Sequence, residues 1–170
     1  MELPSIATRR DLECILSDET AEPMALPLPL LQDITDDFSK EHEIGRGGFT
    51  VVYKGKLGNR NVAVQRFSST HIIENMFQQE LECLLKVKHK NVVRFLGYCV
   101  NTQGFLATYN GKMVMVDVPE RLLCFEYLPK GSLDKYITGR IMWHVKFLLT
   151  CIFIIEDHQF SVHHVAYYLY

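Results

Sequence analysis

Three short stretches of the chain hold residue types that could do chemistry. The first is Gly45-Arg46-Gly47-Gly48-Phe49-Thr50-Val51-Val52. Glycine permits positive φ and close backbone approach, so such a loop can turn backbone N–H groups toward a phosphate. Alone, a G-x-G is more often a plain hairpin turn. A dinucleotide-binding reading would require a helix directly after the glycines. Here Thr50–Lys56 reads as a strand, which makes the glycines a flap between antiparallel strands. The second stretch is Val62-Ala63-Val64-Gln65, on the next strand. The third is Glu80, one helical turn from both Phe77 and Leu84, on or beside an apolar stripe. A carboxylate in that position needs a partner. The plainer alternative is an edge glutamate whose head reaches water.

These groups must be positioned by regular elements. His42–Gly45, Thr50–Lys56 and Asn61–Phe67 read as strands, with Gly58–Asn59 as the turn between the last two. Along the third, Val62, Val64 and Arg66 share one face, and Ala63, Gln65 and Phe67 the other. Ser69–Val87 reads as a helix, with Ile73, Phe77, Leu81 and Leu85 at i+4 steps and Thr70 as its N-cap. Asn91–Val100 and Arg121–Leu128 read as further strands. Between them Asn110–Gly111 signals a hairpin, flanked by Ala107–Tyr109 and Lys112–Val118, which is expected to be a surface loop, with a docking element as the alternative. Ser132–Ile137 looks like a helix start after the Pro129–Gly131 turn. Hairpin-linked strands with one helix predict an α+β fold: a five-stranded antiparallel sheet packed on that helix.

The 170 residues suffice for one ordinary domain with a real core, at 48% hydrophobic and 22% charged residues. A net charge of -2 excludes the strongly basic surface of a nucleic-acid binder. Charge is uneven, however: -6 over residues 1–40, +4 over 41–139 and zero over 140–170. All ten glycines lie from Gly45 to Gly139. The chain therefore divides into an acidic lead-in (1–33), a central domain (34–139) and an apolar, aromatic tail (140–170). The lead-in carries several prolines and is expected to be mostly disordered, with a short helical turn at Ile34–Phe38 capped by Thr35 or Asp33. The five cysteines are widely spaced with no C-x-x-C, which fits reduced thiols in a cytoplasmic protein.

Taken together and in this order, the motifs resemble the N-terminal lobe of a protein kinase, most similar to plant receptor-like and receptor-like cytoplasmic serine/threonine kinases. The resemblance rests on Ile44 to Phe49, Val52-Tyr53-Lys54-Gly55, Val62-Ala63-Val64, Phe77 to Glu80, His89 to Cys99, and Leu122 to Leu133. It covers about residues 34–139. It implies that Gly45, Arg46, Gly47, Gly48 and Phe49 form a loop over ATP phosphates. Val52 and Ala63 would sandwich the adenine, and Phe125 would be the gatekeeper. The Glu126 carbonyl and the Leu128 N–H would bond the adenine. Glu80 would pair with an ATP-anchoring lysine.

That lysine is absent: its position is Gln65. Glutamine offers a hydrogen bond without charge, and charged hydrogen bonds are about twice as strong. Arg66 points to the opposite face. Thr50 stands where some unusual kinases supply the lysine from the loop, and Lys54 has the right parity but lies further from the phosphates. His-Arg-Asp, Asp-Phe-Gly and Ala-Pro-Glu do not occur in the sequence. The expectation is a truncated kinase relative without its C-terminal lobe: no catalytic residues, no magnesium site, weak or vestigial ATP binding, and no enzyme activity as it stands. The alternatives are a non-catalytic interaction or decoy module for a full-length kinase or signalling protein, and a non-functional fragment. The tail is expected to be unrelated to the family. Ile141–Ile155 would span roughly 22 Å as a helix, short for a bilayer core of about 30 Å, so no membrane span is expected. Asp157, His158, His163 and His164 match no standard metal spacing.

Overall fold

The computed structural model describes residues 7–68, 71–89 and 92–129. Their order is α1 (Arg9–Ser17), β1 (Met24–Ala25), α2 (Leu28–Thr35), a 3-10 turn (Lys40–His42), β2 (Glu43–Arg46), β3 (Thr50–Leu57), β4 (Arg60–Phe67), α3 (His71–Leu84), β5 (Phe95–Tyr109) and β6 (Lys112–Glu126). One sheet runs β1-β5-β6-β4-β3-β2. Strands β2 to β6 pair antiparallel throughout, the predicted five-stranded sheet. The sixth strand, β1, adds in parallel at Gly97 and Tyr98.

Alternation gives the sheet two apolar faces. On the back face Tyr53, Leu57, Val62, Val64, Leu122 and Cys124 are buried. On the front face Phe67, Leu123 and Phe125 pack with Phe77 and Leu84 of α3. The Phe67 and Phe77 rings meet edge to face at 5.4 Å, a geometry that aromatic quadrupoles favour.

Residues 7–33 correct the expectation of a disordered lead-in. Leu12, Ile15, Leu26, Leu28, Leu31 and Ile34 are buried against the back face. Burying side chains of this size contributes roughly 1.5–3 kcal/mol each, enough to offset the ordering entropy that an acidic composition suggests will win. Helix α1 starts at a capping box: the Asp11 N–H donates to Thr8 Oγ1, and the Thr8 N–H donates to Asp11 Oδ2. Helix α2 carries Pro29 in its first turn, where the missing N–H costs little. It occupies Leu28–Thr35 rather than the predicted Ile34–Phe38. Thr35 ends it instead of capping its start: its hydroxyl donates to Leu31 O at 2.6 Å and accepts from the Phe38 N–H at 3.2 Å. Asp36, Asp37 and Phe38 then take positive φ.

Two glycines admit this segment. A Cβ on Gly97 would lie 2.3 Å from the Met24 carbonyl oxygen, so only glycine lets β1 approach there. A Cβ on Gly55 would meet Ile34 at 3.1 Å.

Helix α3 is shorter than predicted, and its stripe ends on Leu84, with Leu85 exposed. Thr70, the predicted cap, lies outside the described residues, as do Ser132–Ile137 and residues 140–170. The predicted hairpin at Asn110–Gly111 is present, and its flanking strands are longer than a surface loop, forming the tip of a continuous ribbon. Its two strands pair from Phe95–Phe125 to Tyr109–Lys112, and each runs about 50 Å. Asn110 (φ 51) and Gly111 (φ 75) form the tight turn that dipeptide favours. Of β6, only Leu122–Glu126 pairs with β4, so the outer half of the ribbon projects beyond the sheet.

Candidate functional site

The register of β2, β3, β4 and β6 brings the sequence-defined residues together on the front face. Gly45 lies opposite Val52, Val52 opposite Gln65, and Gln65 opposite Leu123. In the next row Lys54 lies opposite Ala63, and Ala63 opposite Phe125. Directly opposed residues share a face, so Val52, Ala63, Gln65 and Phe125 all line the side that carries α3. Val52 and Ala63 are half-buried and Phe125 is buried, its ring 5.5 Å from that of Phe95. Gln65 is only 3% exposed. Glu80 is half-buried on α3, which reaches the same face through Phe77, Leu81 and Leu84.

The glycine loop is held at both ends. A bulge between Glu43 and Gly45 shifts the β2 register. The Gly47 N–H donates to Thr50 O at 2.8 Å. At the tip, Phe49 O accepts from the Ser68 N–H at 2.9 Å and from its hydroxyl at 2.8 Å. Gly48 and Phe49 are exposed. Arg46 turns back along β2 and grips Glu43 with two bonds of 2.6 and 2.7 Å. That hydrogen bond raises the Arg46 pKa and lowers that of Glu43.

At the far end, β6 leads into Tyr127 and Leu128. The Glu126 N–H donates to Arg94 O at 3.0 Å, and the Glu126 carboxylate accepts from the Arg94 N–H at 2.7 Å. Lys54 has the parity the sequence suggests, but its ammonium sits 4.8 Å over the Tyr127 ring, toward this end and away from the glycines.

Arg66 occupies the back face, as alternation requires. Its guanidinium stacks 4.6 Å over Phe38 and makes a bidentate pair with Glu120 at 2.6 and 2.9 Å. The bond to Glu120 raises its pKa, against the opposing effect of burial. A cavity of about 260 Å³ beside the glycine loop opens on this side, between Arg46, Tyr53, Arg66, Val118 and Glu120. Val52, Ala63 and Gln65 do not line it, but Gly47, Gly48, Thr50 and the front-face Phe67 do.

Sequence reasoning missed Phe38, Glu43 and Glu120 as the partners of the two arginines. Only the i+3 spacing of Glu43 and Arg46 offered a local signal. It also missed the ion pair of Glu74 with Arg121 at 2.9 Å, which ties α3 to the base of the ribbon. Burial raises the thiol pKa values of Cys99, to about 11, and Cys124, to about 12, so neither is a nucleophile near neutral pH. Among the described residues no His, Cys, Asp or Glu cluster is built to hold a metal. No helix of the described residues is long and apolar enough to cross a membrane.

Comparison with known proteins matches residues 38–169 to the family described as protein tyrosine and serine/threonine kinase. The match runs past Gly139, where the motif reading ends the resemblance, so it corrects the expectation that residues 140–170 lie wholly outside the family. Among curated relatives, a probable L-type lectin-domain containing receptor kinase S.5 of Arabidopsis thaliana is 36% identical over 131 residues, 76% of this chain and 18% of that protein. The Arabidopsis cysteine-rich receptor-like protein kinase 28 is 36% identical over 122 residues, 71% of this chain and 16% of its own length. Cysteine-rich receptor-like protein kinase 29 is 30% identical over 165 residues, 88% and 22% respectively. The chain spans between about a tenth and a quarter of the curated relatives it matches. The fold, the register of the motif residues and this family match agree that the chain belongs to the protein tyrosine and serine/threonine kinase family, related to plant receptor-like kinases.

Proposed function

We propose that these 170 residues form a non-phosphorylating kinase lobe with at most weak affinity for ATP. The family's chemistry is phosphoryl transfer from Mg-ATP to a protein hydroxyl, and it is mainly positioning and charge stabilisation. The observation that carries the reading is Gln65. It stands at the strand position of the anchoring lysine, buried, between Val52 and Leu123, on the face that carries α3. A neutral amide there supplies no charge to an α- or β-phosphate. Neither neighbouring base replaces it: Lys54 is drawn toward Tyr127, and Arg66 is on the other face, paired with Glu120. The sequence motifs that would supply a catalytic base and magnesium ligands do not occur in this chain. The reduced, widely spaced cysteines favour a cytoplasmic setting.

The test is a thermal-shift titration with Mg-ATP. Gln65→Lys should tighten ATP roughly tenfold, because a hydrogen bond to a charged group is stronger by 1 kcal/mol or more. The native chain should incorporate no labelled phosphate. Incorporation that disappears in Glu80→Gln would overturn the reading. So would a Gln65→Lys chain that folds and binds ATP no better.

A non-catalytic docking role, for a full-length kinase or another signalling protein, is the second reading. It draws support from the half-buried Met76 and the exposed Leu85 and Val87 at the α3 end. Phe77 is core, so its replacement would unfold the lobe rather than probe a partner.

A further inference from the structure

A purine ring and a triphosphate make opposite demands on a site, and the front face meets only the first. The ring needs apolar surface; the phosphates need cations and backbone N–H donors. Val52 and Ala63 are half-buried, so each leaves apolar surface that a flat ring can cover. Leu123 and Phe125 are buried on the strand beside them, and the Phe125 ring is backed by Phe95 at 5.5 Å.

The cations of β2, β3, β4 and the base of β6 are engaged elsewhere or distant. Arg46 is gripped by Glu43 with two bonds of 2.6 and 2.7 Å. Arg66 stands on the back face, in its bidentate pair with Glu120. Arg121 is held by Glu74 at 2.9 Å and by Asn101 O at 2.7 Å. Lys54 lies over the Tyr127 ring, at the end away from the glycines. Lys56 and Arg60 flank the β3–β4 turn, roughly 13–17 Å along the strands from Val52 and Gln65. Residue 65 is a neutral amide, and Glu80 of α3, on the same face, is an acid. In the loop, the Gly47 N–H already donates to Thr50 O at 2.8 Å.

We propose that this face is a nucleoside site: it takes uncharged adenosine at least as tightly as ATP, and Mg²⁺ adds nothing. The proposal rests on the reading of this face as the lobe's ATP site and changes the class of ligand. Each phosphate would leave water for a face that returns no ion pair, while the base keeps its contact with Val52 and Ala63.

Titration of the native chain with adenosine, AMP, ADP and ATP, followed by ligand-observed NMR with Mg²⁺ and with EDTA, tests this. The dissociation constants of adenosine and ATP should agree within roughly threefold, or favour adenosine, with or without Mg²⁺. ATP binding should stay level between about 0.05 and 0.5 M salt, since no protein cation is there to be screened. ATP tighter than adenosine by roughly tenfold, or an ATP affinity that falls with salt, overturns the proposal. So does adenosine that fails to bind at about 10 mM. These results leave the non-phosphorylating reading in place, which fails instead if the native chain incorporates labelled phosphate. Ala63→Leu fills the apolar side and should weaken adenosine and ATP alike, by roughly fivefold or more; a folded variant that binds both as before overturns the proposal. Gln65→Lys should reverse the order, placing ATP above adenosine by roughly tenfold and restoring salt dependence. An unchanged order in a folded Gln65→Lys chain overturns the ATP-site reading and this proposal with it. The ligand and salt series on the native chain decide the question if that variant does not fold.

Discussion

The two faces of the one sheet are finished differently. The back face is closed by the chain's own N-terminal segment, which inserts leucines and isoleucines from α1, α2 and their connections. The front face carries a smaller cluster centred on Phe77, with Val52 and Ala63 only half-buried beside it. A face sealed by its own chain supplies stability. A face left partly open, with aligned residues from β3, β4 and β6, is where a ligand can be held. The glycine loop borders both, and its cavity lies at their margin, between Arg66 and Glu120 of the back face and Phe67 of the front.

Substitutions that act on one face alone should break this contrast or sharpen it. The largest effect is expected from Leu31→Ala. Leu31 is fully buried on the back face, and its truncation should cost about 3 kcal/mol of unfolding free energy in urea. Any Mg-ATP-induced shift should keep its midpoint concentration, because the front face is untouched. A changed midpoint would mean that the faces are coupled.

Gly97→Ala comes next, at about 2 kcal/mol, since its methyl group would collide with the Met24 carbonyl oxygen. Amide exchange should rise across Met24–Ala25 and α2 and change little in α3. A uniform rise would show that the segment is part of one cooperative unit.

Arg66→Ala should cost about 1 kcal/mol. It leaves the buried Glu120 without its bidentate partner, but the arginine itself is a third exposed and screened by solvent. Glu120→Gln in the same background should recover part of the loss, measured by chemical denaturation.

The effect that is smallest near neutral pH, and grows only under alkaline conditions, comes from Cys124. In the folded chain burial raises the Cys124 thiol pKa to about 12, from an ordinary 9.0. The unfolded chain therefore loses this proton first. The contribution is intact below pH 9 and falls as pH rises toward 12, by at most about 1.4 kcal/mol per pH unit. Cys124→Ala should flatten the decline in melting temperature between pH 8 and 10. Parallel slopes for the two chains would count against a buried thiol.

Local patterns carried much of the central fold. Alternation in Thr50–Lys56 and Asn61–Phe67 gave the strands, their faces and the opposite orientations of Gln65 and Arg66. The stripe through Phe77 and Leu81 gave α3, although Leu84 rather than Leu85 completes it. Net charge and prolines in the lead-in suggest disorder, but the spacing of Leu28, Leu31 and Ile34 puts three apolar side chains on one helix face, and that face is buried. The Thr8–Asp11 capping box was also present to be read. The length of the ribbon was not legible locally, since its ladder continues through Gly104 and Pro119.

The sequence by itself determined the family and the strand faces on which Val52, Ala63, Gln65 and Phe125 lie, because these depend on residue identity and order along adjacent strands. Tertiary structure alone decided what covers the back of the sheet, which acids hold Arg66 and Arg121, and how far the ribbon projects beyond β4. Those outcomes depend on contacts between segments far apart in the chain. Local periodicity cannot encode such contacts, because each is set by where two separately folded surfaces meet.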